Sequence, residues 1–355
     1  MNCLCSEEIR AQNLQNKRLE RNLQIYKRKY NRQIKLLMLG TSGSGKSTFL
    51  RQMRFVYDKG HTGYDRMKYV GIIHQNVFHA MQIMIEAMQV LRISYETKEN
   101  AFVNAALIKY VDLNYPVLFI DIFRLALKEL WADAGIQECY MRGREFALLD
   151  STKYFFNHLD RIAAPHYIPN DQDILRARDP SHGLEEHLFY YKNVEFLITD
   201  LGCQRSERKK WMHCFDNVTA IIYMVAISEY DQFSLDPEHR NLLKESLELL
   251  KSIVSYKCFN DISLIIVLNK LDIFEEKIMH SHLVDYFPEF TGREYDPREA
   301  RSFILDLFLK VIPSKRRIYY YFLSSVDEHS ASIVFVYRAV RDTILNANLY
   351  NFNLV

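Results

Sequence analysis

Apolar residues in this chain gather into short runs that end in turns. Ile34 to Leu39 (IKLLML) reads as a buried parallel strand entering a glycine-rich turn, followed by a helix from Ser47 to about Tyr57. Val194 to Thr199, Ala220 to Ala226, Ser263 to Leu268 and Tyr319 to Leu323 are further strands, separated by helical patterns such as Leu242 to Val254. That alternation predicts an α/β domain with a doubly wound, mostly parallel sheet. The chain between the first helix and the second strand is far too long for a single crossover. No glycine occurs from Ile72 through Ala134, and Val77, Met81, Met84, Ile85, Met88 and Leu91 keep helical spacing. The pattern predicts an all-helical domain over residues 61–175, inserted into a domain built from 34–60 and 176–355. Ahead of both, Leu19, Leu23, Tyr26 and Tyr30 form one apolar stripe on a mostly charged helix within residues 1–33. Ser6, Glu7 and Glu8 mark its start. A partner protein or a membrane surface would cover that stripe.

Hydrophobic residues at 48% and aromatics at 13% exclude disordered, collagen-like and coiled-coil classes. The net charge of +2 is unevenly spread: residues 1–35 carry nine Lys/Arg against Glu7, Glu8 and Glu20. A basic arm on a near-neutral body suits an anionic membrane surface or an acidic partner rather than nucleic acid, and a solvated basic helix is the plain reading of the same charge. No stretch has the apolar length of a membrane span, and the charged start has no secretory core, so a cytosolic protein is expected. The six cysteines show no metal-ligand spacing and are expected to be reduced. Cys3 and Cys5, beside the basic helix, are candidates for double S-acylation, whereas Asn2 excludes N-myristoylation.

Glycine is scarce, 11 of 355 residues against about 7% in average usage, so its placement is informative. Gly40-Thr41-Ser42-Gly43-Ser44-Gly45-Lys46-Ser47 satisfies GxxxxGK[ST] between a strand and a helix, and Thr48 continues it. Such a loop turns backbone N–H groups onto phosphate at a helix N-terminus, with Lys46 reaching the outer phosphates and Ser47 giving its hydroxyl to Mg²⁺. Asn269-Lys270-Leu271-Asp272 follows a buried strand, where Asp272 would accept the paired N–H groups of guanine. The pattern is weak alone and favours GTP over ATP once the phosphate loop is present. Asp200-Leu201-Gly202-Cys203-Gln204 follows another strand, placing Asp200 to hold Mg²⁺ through water and Gln204 to orient an attacking water. Leu175-Arg176-Ala177-Arg178, with Ser181 beyond it, marks the return from the helical insert. An arginine there can reach transferring phosphoryl oxygens, and a hydroxyl can complete a metal shell.

These motifs in this order resemble the alpha subunit of a heterotrimeric G protein over essentially the whole chain. Arg205 to Trp211 followed by His213-Cys214-Phe215 is similar to the family's second switch helix; Ser281 to Glu289 and the ending Asn353-Leu354-Val355 look most like the q class. The resemblance implies a Ras-like GTPase domain with a helical insert and a switch at the cytoplasmic face of the plasma membrane, operated by GDP/GTP and Mg²⁺. It further implies a beta-gamma dimer on the N-terminal helix and second switch, a seven-helix receptor at the C-terminal helix (about 332–349) and tail, and an effector of the phospholipase C beta type. Arg178 and Gln204 take the catalytic positions, Ser47 and Ser181 the metal ligands. Ser325 stands where a backbone N–H meets the guanine oxygen, and Asp150 and Ser151 face the nucleotide from the helical domain. Phe352 replaces the cysteine of the i class, so toxin-catalysed ADP-ribosylation there is not expected.

The chain departs from the family pattern at Ser42 and Gly43, where the pattern has Gly and Glu, and at Cys203, where the pattern has the glycine whose N–H meets the γ-phosphate. A Cβ at 203 narrows the backbone freedom of the turn that closes on GTP. Besides a cycling GTPase, the sequence therefore supports a nucleotide-bound adaptor with impaired cycling. A P-loop ATPase or kinase is disfavoured by Asn269 to Asp272.

Overall fold

The structure, a computed structural model, describes residues 7–57, 60–115, 117, 119–146, 148–179, 183–191, 194–201, 218–234, 240–260, 262–314, 316–327, 338–339 and 341–342. Helix α1 (Glu7–Arg32) precedes β1 (Ile34–Gly40) and α2 (Lys46–Tyr57). Leu19 and Leu23 on α1 are exposed, as a helix with an uncovered stripe requires.

Between α2 and the next strand the described residues are helices and loops: α3 (Gly63–Leu91), α4 (Ala105–Lys109), α5 (Asp121–Ala132), α6 (Ala134–Met141), α7 (Thr152–Asn157), α8 (Leu159–Ile162) and α9 (Asp171–Arg176). A capping box fixes the start of α3, Thr62 accepting from the Asp65 N–H while the Asp65 carboxylate accepts from the Thr62 N–H. Val77, Met81, Met84, Ile85 and Met88 are buried, with Leu91 packed at their margin. Their core draws its buried residues only from Ile73 to Ala177.

The remaining elements are β2 (Leu184–Tyr191), β3 (Val194–Leu201), β4 (Ala220–Ala226), α10 (Leu242–Ser255), β5 (Ser263–Asn269), α11 (Leu271–Lys277), α12 (Pro297–Lys310) and β6 (Ile318–Phe322). The six strands lie in the order β2-β3-β1-β4-β5-β6, every neighbouring pair parallel except β2 with β3. The order reverses at β1, the start of both halves of the winding. Alternate strand residues feed two cores. Leu37, Leu39, Tyr223, Leu264, Ile266 and Leu268 pack with α10 and α12, while Leu36, Met38, Met224 and Val267 pack with Phe49 and Leu50 of α2. Among the described strands, β2 is the one the apolar pattern does not announce, because Glu185, Glu186 and His187 interrupt it.

Candidate functional site

The carboxyl ends of β1, β3, β4 and β5 converge where an open α/β sheet places its ligand crevice. The turn after β1 is threaded so closely that side chains are excluded. At Gly40 (φ 150°) a Cβ would lie 2.4 Å from the Met224 carbonyl, and at Gly45 (φ 95°) 2.1 Å from the Asn269 amide nitrogen. Inside the turn, Lys46 Nζ donates to the carbonyls of Thr41 (2.9 Å) and Gly40 (3.2 Å), and the Ser44 hydroxyl donates to Thr41 O (2.8 Å). Lysine at the first residue of α2 adds its charge to the positive helix terminus.

Asn269, at the end of β5, ties three loops together. Its Nδ2 donates to Ser44 O (2.9 Å), and its Oδ1 accepts from the Ser325 N–H (3.1 Å) and hydroxyl (2.8 Å). The Ser325 N–H expected to face a base is thus given to Asn269 here. Asp272 is braced by the Ser324 hydroxyl, which donates to its Oδ1 (2.8 Å). Lys270 adopts a left-handed backbone (φ 62°) and places Nζ between Asp150 (2.7 Å) and Glu229 (3.1 Å). Burial opposes the charge on Lys270, but the two carboxylates outweigh it and hold its pKa above the ordinary lysine value. Burial likewise opposes the Asp150 charge, and Lys270 overcomes it and lowers that pKa; at Glu229 burial wins and the pKa rises.

Between the helical domain and the sheet lies a cavity of about 420 Å³, whose walls include Gly43, Lys46, Ser47, Thr48, Asp150, Ser151, Arg176, Arg178, Glu229 and Lys270. Ser42, Gly45 and Ala177 also line it. The connection that re-enters from α9 is fastened across it: Thr48 Oγ1 donates to Leu175 O, Arg51 to Ile174 O and Ala177 O, and Ser151 Oγ to Arg176 O. Sequence reasoning did not single out Arg51, Asn76 or Glu229. Asn76 carried a signal, since it stands in the apolar stripe of Ile73, Val77 and Ala80 on α3.

A second cavity, about 330 Å³, brings Ser47 together with Asp200 at the end of β3. Asp200 is 4% exposed and its Oδ1 is buried without a hydrogen-bond partner. Burial pushes its pKa up to about 6, with Lys46 partly offsetting and Glu185 adding. A buried, unsatisfied carboxylate oxygen beside a hydroxyl is a hard-oxygen donor set that fits Mg²⁺, a cation that keeps several waters rather than a full protein cage. Among the described residues no three His, Cys, Asp or Glu side chains cluster as a metal cage.

Leu201 is described, at the end of β3 and 3% exposed. Ser181, Gly202, Cys203 and Gln204 lie outside the described residues, as do Cys3, Cys5, Arg205 to Phe215 and the tail from 343. No helix among the described residues is long and apolar enough to cross a membrane.

The cleft, its glycine-threaded loop and the Asn269 tie lie on a mostly parallel sheet beside a helical insert. The family model for the G-protein alpha subunit matches residues 13–344. The chain therefore belongs to the G-protein alpha subunit family, whose members are guanine nucleotide-binding GTPases that act as signalling switches.

Proposed function

We propose that this chain binds GDP and GTP with Mg²⁺ in the 420 Å³ cleft and hydrolyses GTP as a q-class switch. The observation that carries this reading is Asn269, whose one side chain fixes the phosphate loop through Ser44 and the base-side loop through Ser325. The two ends of a nucleotide would thus be held by loops that cannot move independently. In this reading residues 1–33 are the partner-binding helix, 34–60 with 176–355 the GTPase domain, and 61–175 the inserted helical domain.

The phosphates lie along the loop from Gly40 to Thr48, and Lys46 exchanges its carbonyl partners for phosphate oxygens. Asn269, Lys270, Asp272 and Ser325 select and stack the base, while Asp150 and Ser151 close from the helical side. Ser47 and Ser181 would hold Mg²⁺, with Asp200 reaching it through water, and the ion would neutralise phosphate charge. Arg178 stabilises charge on the transferring phosphoryl group and Gln204 orients the attacking water. Acylation at Cys3 and Cys5 holds the protein at the cytoplasmic face of the plasma membrane. A beta-gamma dimer covers Leu19 and Leu23, a receptor engages the C-terminal tail, and a phospholipase C beta type effector is the q-class output.

Cys203 supports a second reading, an adaptor that keeps its nucleotide without cycling. Purified full-length protein decides between them. A cycling switch copurifies with GDP and turns over GTP in a single-turnover assay that requires Mg²⁺, more slowly than the roughly 10⁻² s⁻¹ of family members with the arginine in cis. Cys203→Gly then raises the rate and the Trp211 fluorescence response to GTP. Bound GDP with no turnover leaves the adaptor, and equal affinity for ATP overturns the guanine assignment.

A further inference from the structure

The last turn of α9 and the chain leaving it are held carbonyl by carbonyl. Ile174, Leu175, Arg176, Ala177 and Arg178 each give their carbonyl to a side chain, from Arg51, Thr48, Ser151, Arg51 and Asn76 in turn. Four of these contacts are single bonds; the last is reciprocal. Asn76 Nδ2 donates to Arg178 O (2.9 Å), and the Arg178 N–H donates to Asn76 Oδ1 (2.6 Å). A carboxamide carries a donor and an acceptor side by side, so it can pair with both backbone groups of one residue. Asn76 is 8% exposed in an otherwise apolar stripe of α3. A buried amide is tolerated there because both ends are hydrogen-bonded.

Arg178 itself is exposed and lines the cleft. Across that cleft, Gly43 offers no side chain to steady a guanidinium. We infer that Asn76 is a positioning residue for GTP hydrolysis, fixing the backbone of Arg178 to α3 so that its side chain projects over the phosphate loop. The inference rests on the GTPase reading of Arg178. It makes the geometry of the arginine depend on the helical domain staying closed, because α3 belongs to that domain.

Asn76→Ala should lower single-turnover GTP hydrolysis about 10- to 100-fold, the range expected for a misplacement near 1 Å, while GDP dissociation changes by less than about 2-fold. Hydrogen exchange should rise at the Arg178 amide and stay slow at Ala177, whose N–H is bonded to Asp173 O. Gln75→Ala, which removes a bond to Leu113 O from the same helix, is the control and leaves hydrolysis unchanged. If Asn76→Ala does not fold, Asn76→Ser takes its place: its single short hydroxyl cannot make both bonds, so hydrolysis should again fall below the parent while GDP dissociation stays within about 2-fold. An unchanged hydrolysis rate, or equal changes in hydrolysis and GDP release, overturns the positioning role. Should neither the parent nor Cys203→Gly hydrolyse bound GTP, the GTPase reading itself fails and takes this role with it; a cycling parent with an indifferent Asn76 variant removes the positioning role alone.

Discussion

Gly45 and Gly183 both have left-handed backbones, yet their surroundings differ. A Cβ at Gly45 would strike the Asn269 amide at 2.1 Å, whereas among the described residues nothing lies within 4 Å at Gly183. Gly183→Ala should therefore cost only the conformational strain, roughly 1–2 kcal/mol. Gly45→Ala adds the displacement of Asn269 from Ser44 O and with it the brace on Ser325, for a total of about 3–5 kcal/mol. Chemical denaturation of the two variants checks the difference; equal losses would mean that the Asn269 tie contributes nothing. The residues of this loop were legible in the sequence because glycine, lysine and serine act through neighbours in the same turn. Asn76 and Arg51 were not, since their partners lie more than 100 positions away. Only a polar residue in an apolar stripe betrays such a pairing, and the stripe does not say with what.

At the scale of elements, the strands buried on both faces were readable almost residue for residue: Ala220–Ala226 and Ser263–Asn269 are buried throughout. The antiparallel edge strand Leu184–Tyr191 was missed because it faces solvent through Leu184, Leu188 and Tyr190 and carries Glu185, Glu186 and His187. Its His187, like His74 and His79, has its pKa lowered chiefly by burial. The sharpest case is His61, between α2 and α3, packed near Phe55 and Tyr69 and 7% exposed. Burial lowers its pKa from 6.5 to about 4, with Arg54, Arg66 and Arg51 lowering it further and Asp65 opposing. The unfolded chain takes up this proton near 6.5 and the folded chain only near 4, so stability rises with pH across that window and is lost on acidification through it. The loss reaches roughly 2–3 kcal/mol near pH 4. Melting temperatures between about pH 7.5 and 4.5 should fall less steeply in His61→Gln; an identical slope would assign the pH dependence to other groups.

The whole molecule has one further property that neither element pattern nor motif supplies, the balance between cohesion within each domain and cohesion between them. The helical core takes none of its buried residues from the two cores flanking the sheet. Among the described residues, what crosses is mostly polar: Lys270 with Asp150, Gln172 with the Val326 carbonyl, Asn76 with Arg178, and Thr48 and Arg51 with the carbonyls of Leu175 and Ile174, beside a ring contact of Phe55 with His61. Each such bond contributes only about 1 kcal/mol net, whereas burying a single Leu or Phe contributes roughly 1.5–3 kcal/mol, and each core has many. Nucleotide-free protein should consequently unfold in two calorimetric transitions, one per domain. In the proposed reading GDP bridges both domains and stabilises only the closed form, adding about 4 kcal/mol at a thousandfold excess over its dissociation constant. That is comparable to all the polar bridges together, so the two transitions should move up and merge. Lys270→Ala removes that bridge to Asp150 and, in the proposed reading, a base contact, and should keep the transitions apart at GDP concentrations that merge them in the parent. A single transition without nucleotide, or two that GDP leaves in place, would show that the domains are coupled by something other than the cleft.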